Sequence, residues 1–173
     1  MARSHCFATA GALVLGISAS AFASESEVER GKYLVSIIGC GDCHTPGYFL
    51  GKPDLAHPLS GTDVGAFIPG LGAFFACNLT SDKKTGLGDW TEDQILVAFT
   101  TGIRPDGRQL APAMPWRNFA NLKPEDARAI AAYLKSLSPV EHAAPGPFAP
   151  GKTPTGLVFV IVPGEVAAKM PHP

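Results

Sequence analysis

Neither sign of charge dominates this 173-residue chain: 14 Lys and Arg stand against 15 Asp and Glu, a formal net charge of −1. Binding nucleic acid calls for a basic stripe, so no nucleic-acid partner is expected. The near balance also leaves no large field to steer a charged partner. Long apolar runs are scarce. Phe7 to Ala19 is apolar but interrupted by small residues and short for a bilayer span, and Gly156 to Val162 is too short to cross one as a helix. Cysteine is limited to Cys6, Cys40, Cys43 and Cys77, with no second Cys or His pair at ligand spacing to complete a zinc site. Beyond the initiator, methionine is confined to Met114 and Met170. Internal repeats and blocks of like charge are lacking too.

What is present begins with the features of an export signal. Arg3 and His5 make a weakly basic start, Phe7–Ala19 the apolar stretch, and Ala21-Phe22-Ala23 a small-residue cleavage site. Residues 1–23 are therefore expected to be removed, taking Cys6 with them, so that the mature chain begins near Ser24 with no transmembrane anchor. Without Arg3 the mature chain carries 13 basic and 15 acidic residues, a net charge of −2. Its length suits one domain that buries roughly 70% of its unfolded-state surface.

Cys40-Gly41-Asp42-Cys43-His44 is the most informative motif, because C-x-x-C-H is the attachment pattern of a c-type haem. On a helical turn, positions i, i+3 and i+4 share one face, so two thiols and an imidazole can meet one ligand. Cys40 and Cys43 would form thioethers to the haem vinyl groups, and His44 would ligate the iron. A dithiol redox pair is the rival reading, but such a motif opens a helix after a strand, whereas the residues before Cys40 read as helix. Cys77 is left unpaired. It reads as a small buried hydrophobe, with an intermolecular disulfide as the alternative.

Glu25 to Gly39 is expected to be the first helix, with Val28, Leu34, Val35, Ile37 and Ile38 as its apolar residues. Gly31 costs about 1 kcal/mol against alanine there, which suggests a close helix crossing. Thr45 to Ser81 is rich in Gly and Pro and reads as loop with one short helical turn, its apolar residues packing on a porphyrin. Thr91-Glu92-Asp93-Gln94 fits a capping box, with Ile95, Leu96, Ala98 and Phe99 at helical spacing and Gly102 as a stop. Arg104 to Asn118 reads as loop. Pro124 to Leu137 is the strongest helix, opened by Pro124, Glu125 and Asp126, with Ala127, Ile130, Ala131, Leu134 and Leu137 on one face. Beyond Pro139 a Pro/Gly-rich arm runs to Pro173, in which GLVFVIV is expected to be a strand or extended segment docked on the body, with a subunit contact as the alternative.

A haem held by one histidine is either five-coordinate and open to small gases, or six-coordinate and suited to moving electrons. Met114, pinned between Pro112 and Pro115, is the candidate second ligand, since Met/His is a known cytochrome c ligand set. Its alternative is core filling. Met170 lies where chain ends fray. His57, His142 and His172 read as solvated surface residues. His44 should donate its other ring N–H to a backbone carbonyl. Trp90, Arg104 and Arg108 are candidate donors to the haem propionates, with solvated surface arginines as the alternative.

These residues resemble the class I cytochrome c family, and the likeness is greatest to periplasmic cytochromes similar to the cytochrome c subunits of alcohol and gluconate dehydrogenases. It rests on Arg30-Gly31-Lys32-Tyr33-Leu34 before the haem motif, Thr45-Pro46 after it, Asn78-Leu79-Thr80-Ser81-Asp82, Thr85 to Thr91, Gly102 to Arg108, Pro112 to Trp116, and Tyr133 to Leu137. It covers roughly residues 28–140. The resemblance implies an all-α fold, three to five helices wrapped round a haem, with long loops and the extended arm. With the residue reading above, the chain is expected to divide into a signal peptide at 1–23, a cytochrome domain at 24–140 and the arm at 141–173. The resemblance also implies one covalent heme c on Cys40 and Cys43, with His44 and Met114 as axial ligands, and a crossing of the first and last helices with Gly31 and Tyr33 facing Leu134 and Tyr133. Those dehydrogenase subunits carry three haem motifs and a C-terminal anchor; this chain has one motif and no expected anchor. The expected function is a periplasmic one-electron carrier, not an enzyme, that accepts electrons from a periplasmic dehydrogenase and passes them to a terminal oxidase or another cytochrome. A fixed dehydrogenase subunit, or a gas sensor or enzyme with an open iron position, is the alternative.

Overall fold

The computed structural model describes residues 19–170; the expected signal sequence lies largely outside them, as does His172. Helix α1, Ala19–Ile38, begins before the expected Glu25 and includes the backbone of the expected cleavage site. It stops at Gly39, whose φ of +77° suits glycine. The same residue opens α2, Cys40–His44. A 3₁₀ turn, Tyr48–Leu50, follows.

Two of the remaining helices carry the signals expected of them. Helix α3, Glu92–Thr101, starts in a capping box: Thr91 N–H donates to Gln94 Oε1 at 2.9 Å and Gln94 N–H to Thr91 Oγ1 at 3.2 Å. It ends at Gly102 in the left-handed region, where a side chain would meet the Trp116 ring. Helix α5, Pro124–Ser136, has Pro124 in its first turn and buries Ala127, Ala129, Ile130, Ala131 and Leu134. Leu137 caps it rather than extending it.

Helices α1 and α5 pack directly, and Gly31 is the reason they can. A Cβ there would run into the Ala129 carbonyl and lie 2.7 Å from Tyr133 Cβ. Beside the crossing, Arg30 Nε and Nη2 both reach Asp126 Oδ1 at 2.6 Å. Tyr33 does not join this contact: it is 58% exposed, and its neighbours Leu34 and Val35 turn inward instead. With Ile95, Phe99, Ile130 and Leu134, and with Leu59 and Leu87 from the loops, they form the core.

Two corrections concern the loops. The expected all-α architecture is incomplete, because strands β1, Val64–Ile68, and β2, Gly72–Phe74, form an antiparallel hairpin within the stretch read as loop. Pro69-Gly70 turns it, with Gly70 at φ +79° and Leu71 N–H donating to Ile68 O at 3.0 Å. Strand β3, Leu157–Val160 of the arm, pairs parallel to β1, giving the order β2-β1-β3. The arm also reaches β2, where Ala73 and Phe148 exchange backbone hydrogen bonds of 3.0 and 2.9 Å. The second correction is a short helix α4, Trp116–Phe119, inside the expected loop 104–118. A last turn, α6, spans Gly164–Ala167. Among the described residues, no helix is long and apolar enough to cross a membrane.

Candidate haem site

Helix α2 places the motif on a single turn. Cys40 is half-buried, Cys43 is exposed, and neither is in a disulfide. Burial pushes the Cys40 thiol up to about 11, and desolvation with the neighbouring Asp42 charge also raises Cys43. Both thiols are thus protonated at neutral pH.

His44 is 6% exposed, and its Nδ1–H donates to the Cys77 carbonyl at 2.6 Å. Burial lowers the pKa of the ring, against the smaller opposite effect of that hydrogen bond. A neutral imidazole with Nδ1 committed to a carbonyl presents Nε2 as the ligating nitrogen. The main chain closes round it: Gly61 N–H donates to His44 O at 2.8 Å, and Leu59 N–H to Thr45 Oγ1 at 3.2 Å. Leu59 takes a φ of +62°, uncommon for a branched side chain, which turns it into the core beside the site. Two free thiols on one turn and an imidazole with a spare nitrogen fit a covalently held haem.

The structure distributes the other candidates unevenly. Met114 is half-buried against the core, its N–H held by Ala111 O at 3.0 Å and its carbonyl by Trp116 N–H at 2.8 Å. Trp90 also packs on the core, and the Arg104 guanidinium carbon lies 4.9 Å from the centre of its ring. Arg104 Nε reaches Asp106 Oδ2 at 3.3 Å, so its charge is partly shared already. Arg108 is exposed, and its backbone N–H goes to Asp106 at 3.0 Å. Burial pushes the Cys77 thiol up while the positive charges of Arg104 and Arg108 draw it down, so both arginines lie near the loop that receives His44.

One of the remaining histidines departs from the sequence reading. His57 is exposed as expected and pairs with Asp54 at 2.8 Å. His142, expected in solvent, is half-buried with Nδ1–H donating to Ser60 O at 2.7 Å. Cys77 contributes a carbonyl, a role that no side-chain pattern announces. Asn78, beside it, is 1% exposed; a polar residue amid Leu79, Thr80 and the glycines beyond was the available signal.

Comparison with known proteins agrees with this geometry. The family model described as cytochrome c matches residues 28–138. The chain is 33% identical over 130 residues to the fructose dehydrogenase cytochrome subunit of Gluconobacter japonicus, covering 72% of this chain and 24% of that protein. It is 33% identical over 141 residues to the gluconate 2-dehydrogenase cytochrome c subunit of Pantoea cypripedii, covering 76% and 29% respectively. A diheme cytochrome c-type protein of Cereibacter sphaeroides is 40% identical over 120 residues, covering 66% and 37%. In each case the chain spans well under half of the relative's length. A C-x-x-C-H turn, a buried histidine tied to a backbone carbonyl and a family match over most of the ordered core lead to one conclusion: this chain belongs to the cytochrome c family, whose domain carries covalent haem c.

Proposed function

We propose that this chain is an exported, periplasmic electron carrier with one haem, held by thioethers from Cys40 and Cys43 and ligated by His44 and Met114. The observation that carries the reading is the His44–Cys77 hydrogen bond of 2.6 Å, which leaves Nε2 for iron. When bound, haem supplies a one-electron iron couple. The Cys77 carbonyl fixes the tautomer and direction of the His44 ring and makes it a stronger donor. Met114, with its backbone held on both sides, offers a thioether that raises the potential. With both axial side chains supplied by the protein, little has to rearrange as an electron passes. The chain's part is to hold and tune the couple, with no substrate chemistry of its own. Its donor would be a periplasmic dehydrogenase and its acceptor a terminal oxidase or another cytochrome.

A second reading, that of a fixed subunit of a dehydrogenase, is favoured by two observations. The fructose and gluconate relatives are named as subunits. The arm presents Leu157, Phe159 and Ile161 to solvent, with Phe159 against the exposed Phe49 ring at 5.1 Å. Co-purification of a second polypeptide separates the two readings.

Visible spectra of the exported protein, oxidised and reduced, with and without carbon monoxide, test the site. A low-spin reduced spectrum indifferent to carbon monoxide, with the far-red methionine-to-ferric band, is expected. A prompt carbon monoxide shift would instead mean an open iron position, as in a sensor or enzyme. Haem stoichiometry by mass checks the single group.

A further inference from the structure

Every polar atom of the buried Asn78 side chain is used. Its Oδ1 accepts from Thr80 N–H at 2.9 Å and from the Thr80 hydroxyl at 2.7 Å. Its Nδ2 donates to Val140 O at 2.7 Å and to Thr85 Oγ1 at 3.0 Å. The start of the arm answers in kind: Val140 N–H donates to Thr80 Oγ1 at 3.2 Å, and His142 N–H to Thr85 Oγ1 at 3.1 Å.

This network bears on His44 from two sides. The carbonyl that receives His44 Nδ1–H belongs to the peptide joining Cys77 to Asn78. A peptide is planar, so anchoring Asn78 limits where that carbonyl can point. On the other side, Ser60 O accepts from His142 Nδ1–H, and the next residue, Gly61, donates its N–H to His44 O. Gly61, at φ +104°, is the point of closest approach: a Cβ there would lie 3.1 Å from Asn78 N and 3.3 Å from His142 Nδ1. Two loops and the arm therefore converge behind the histidine.

We propose that Asn78 and the start of the C-terminal arm, Val140–His142, form a positioning clamp that holds the Cys77–Asn78 peptide against His44 and thereby sets the reduction potential of the haem; this rests on His44 being the iron ligand. Thr80 is the clean point of attack, because Thr80→Val keeps shape while removing both of its hydroxyl bonds, and Thr80→Ser keeps the hydroxyl. In the full haem-loaded protein, exchange of the His44 Nδ1 proton is followed by NMR in the reduced state, alongside the potential. A looser carbonyl makes His44 a weaker donor, which favours ferrous iron. Thr80→Val and Asn78→Ala should each speed that exchange and shift the redox equilibrium towards the reduced form, by about ten-fold, or about 59 mV for one electron. Thr80→Ser should restore wild-type values. Folded Thr80→Val with unchanged exchange and potential would overturn the clamp, as would Thr80→Ser shifting them equally. Should Asn78→Ala not fold, the Thr80 pair decides alone. His44→Ala separates the two levels: if it keeps the low-spin spectrum, the ligand assignment falls and the clamp with it. If it loses that spectrum while Thr80→Val is silent, only the clamp falls.

Discussion

The loops behind His44 and the sheet whose β1–β2 hairpin lies between them in sequence are built on opposite plans. Around the histidine, Ser60, Thr62, Asn78 and Thr80 are each 1 to 2% exposed and hydrogen-bonded. Burying so many polar groups costs stability unless each finds its partner, and a satisfied network fixes a unique geometry. The sheet instead joins three short strands through backbone pairing, and it leaves Leu157, Phe159 and Ile161 in solvent, Ile161 at 85%. Order is concentrated where a metal ligand must not move. Apolar surface is left where it does not touch that ligand.

Substitutions that break this contrast should rank by distance from His44. The largest effects belong to the motif: Cys40→Ala or Cys43→Ala should weaken covalent retention, read as haem lost from the denatured polypeptide on a stained gel. His44→Ala should abolish the low-spin spectrum. Met114→Ala comes next, lowering the potential and admitting carbon monoxide to the reduced protein. Gly31→Val, away from the site but at the α1–α5 crossing, forces a side chain into the Ala129 carbonyl; it should cost about 3 kcal/mol in thermal or denaturant unfolding. Phe159→Ser, in the sheet, should change stability by less than about 1 kcal/mol and leave the haem spectrum unaltered.

The smallest effect sharpens the contrast through pH. Hydrogen bonds from the Thr85 hydroxyl and backbone, both 2.7 Å, hold the half-buried Asp82 carboxyl below its usual range. The folded state binds that proton less readily than the unfolded chain. Asp82 therefore contributes stability above the ordinary carboxylate range, and this fades as pH falls through its lowered pKa. Asp82→Asn should abolish this fading, measured by denaturant unfolding as a function of pH.

Legibility followed the kind of group that carries each feature. The capping box at Thr91, Pro124 at the head of α5 and the C-x-x-C-H turn are side-chain signals, and each stands where the sequence put it. Gly31 announced a close crossing because only a missing Cβ permits one, although Tyr33 was wrongly assigned to it. The acceptor for His44 was hidden, since any residue's carbonyl could serve and Cys77 was selected by the loop path alone. The β1–β2 hairpin was hidden too: β2 is three residues long and begins with glycine, so no alternation marks it, and Pro69-Gly70 was the surviving clue. The apolar run 156–162 was recognisable as a docked extended segment, but its parallel partner β1 was not.

The clamp at Asn78 also implies an order of events. Its partner Val140 lies 62 residues further along the chain, whereas Cys40 to His44 precede both. A polypeptide that emerges amino end first exposes its two thiols and its imidazole well before the segment that locks the loop behind them. The attachment turn is thus reachable while the chain is young, and the latch arrives with its tail.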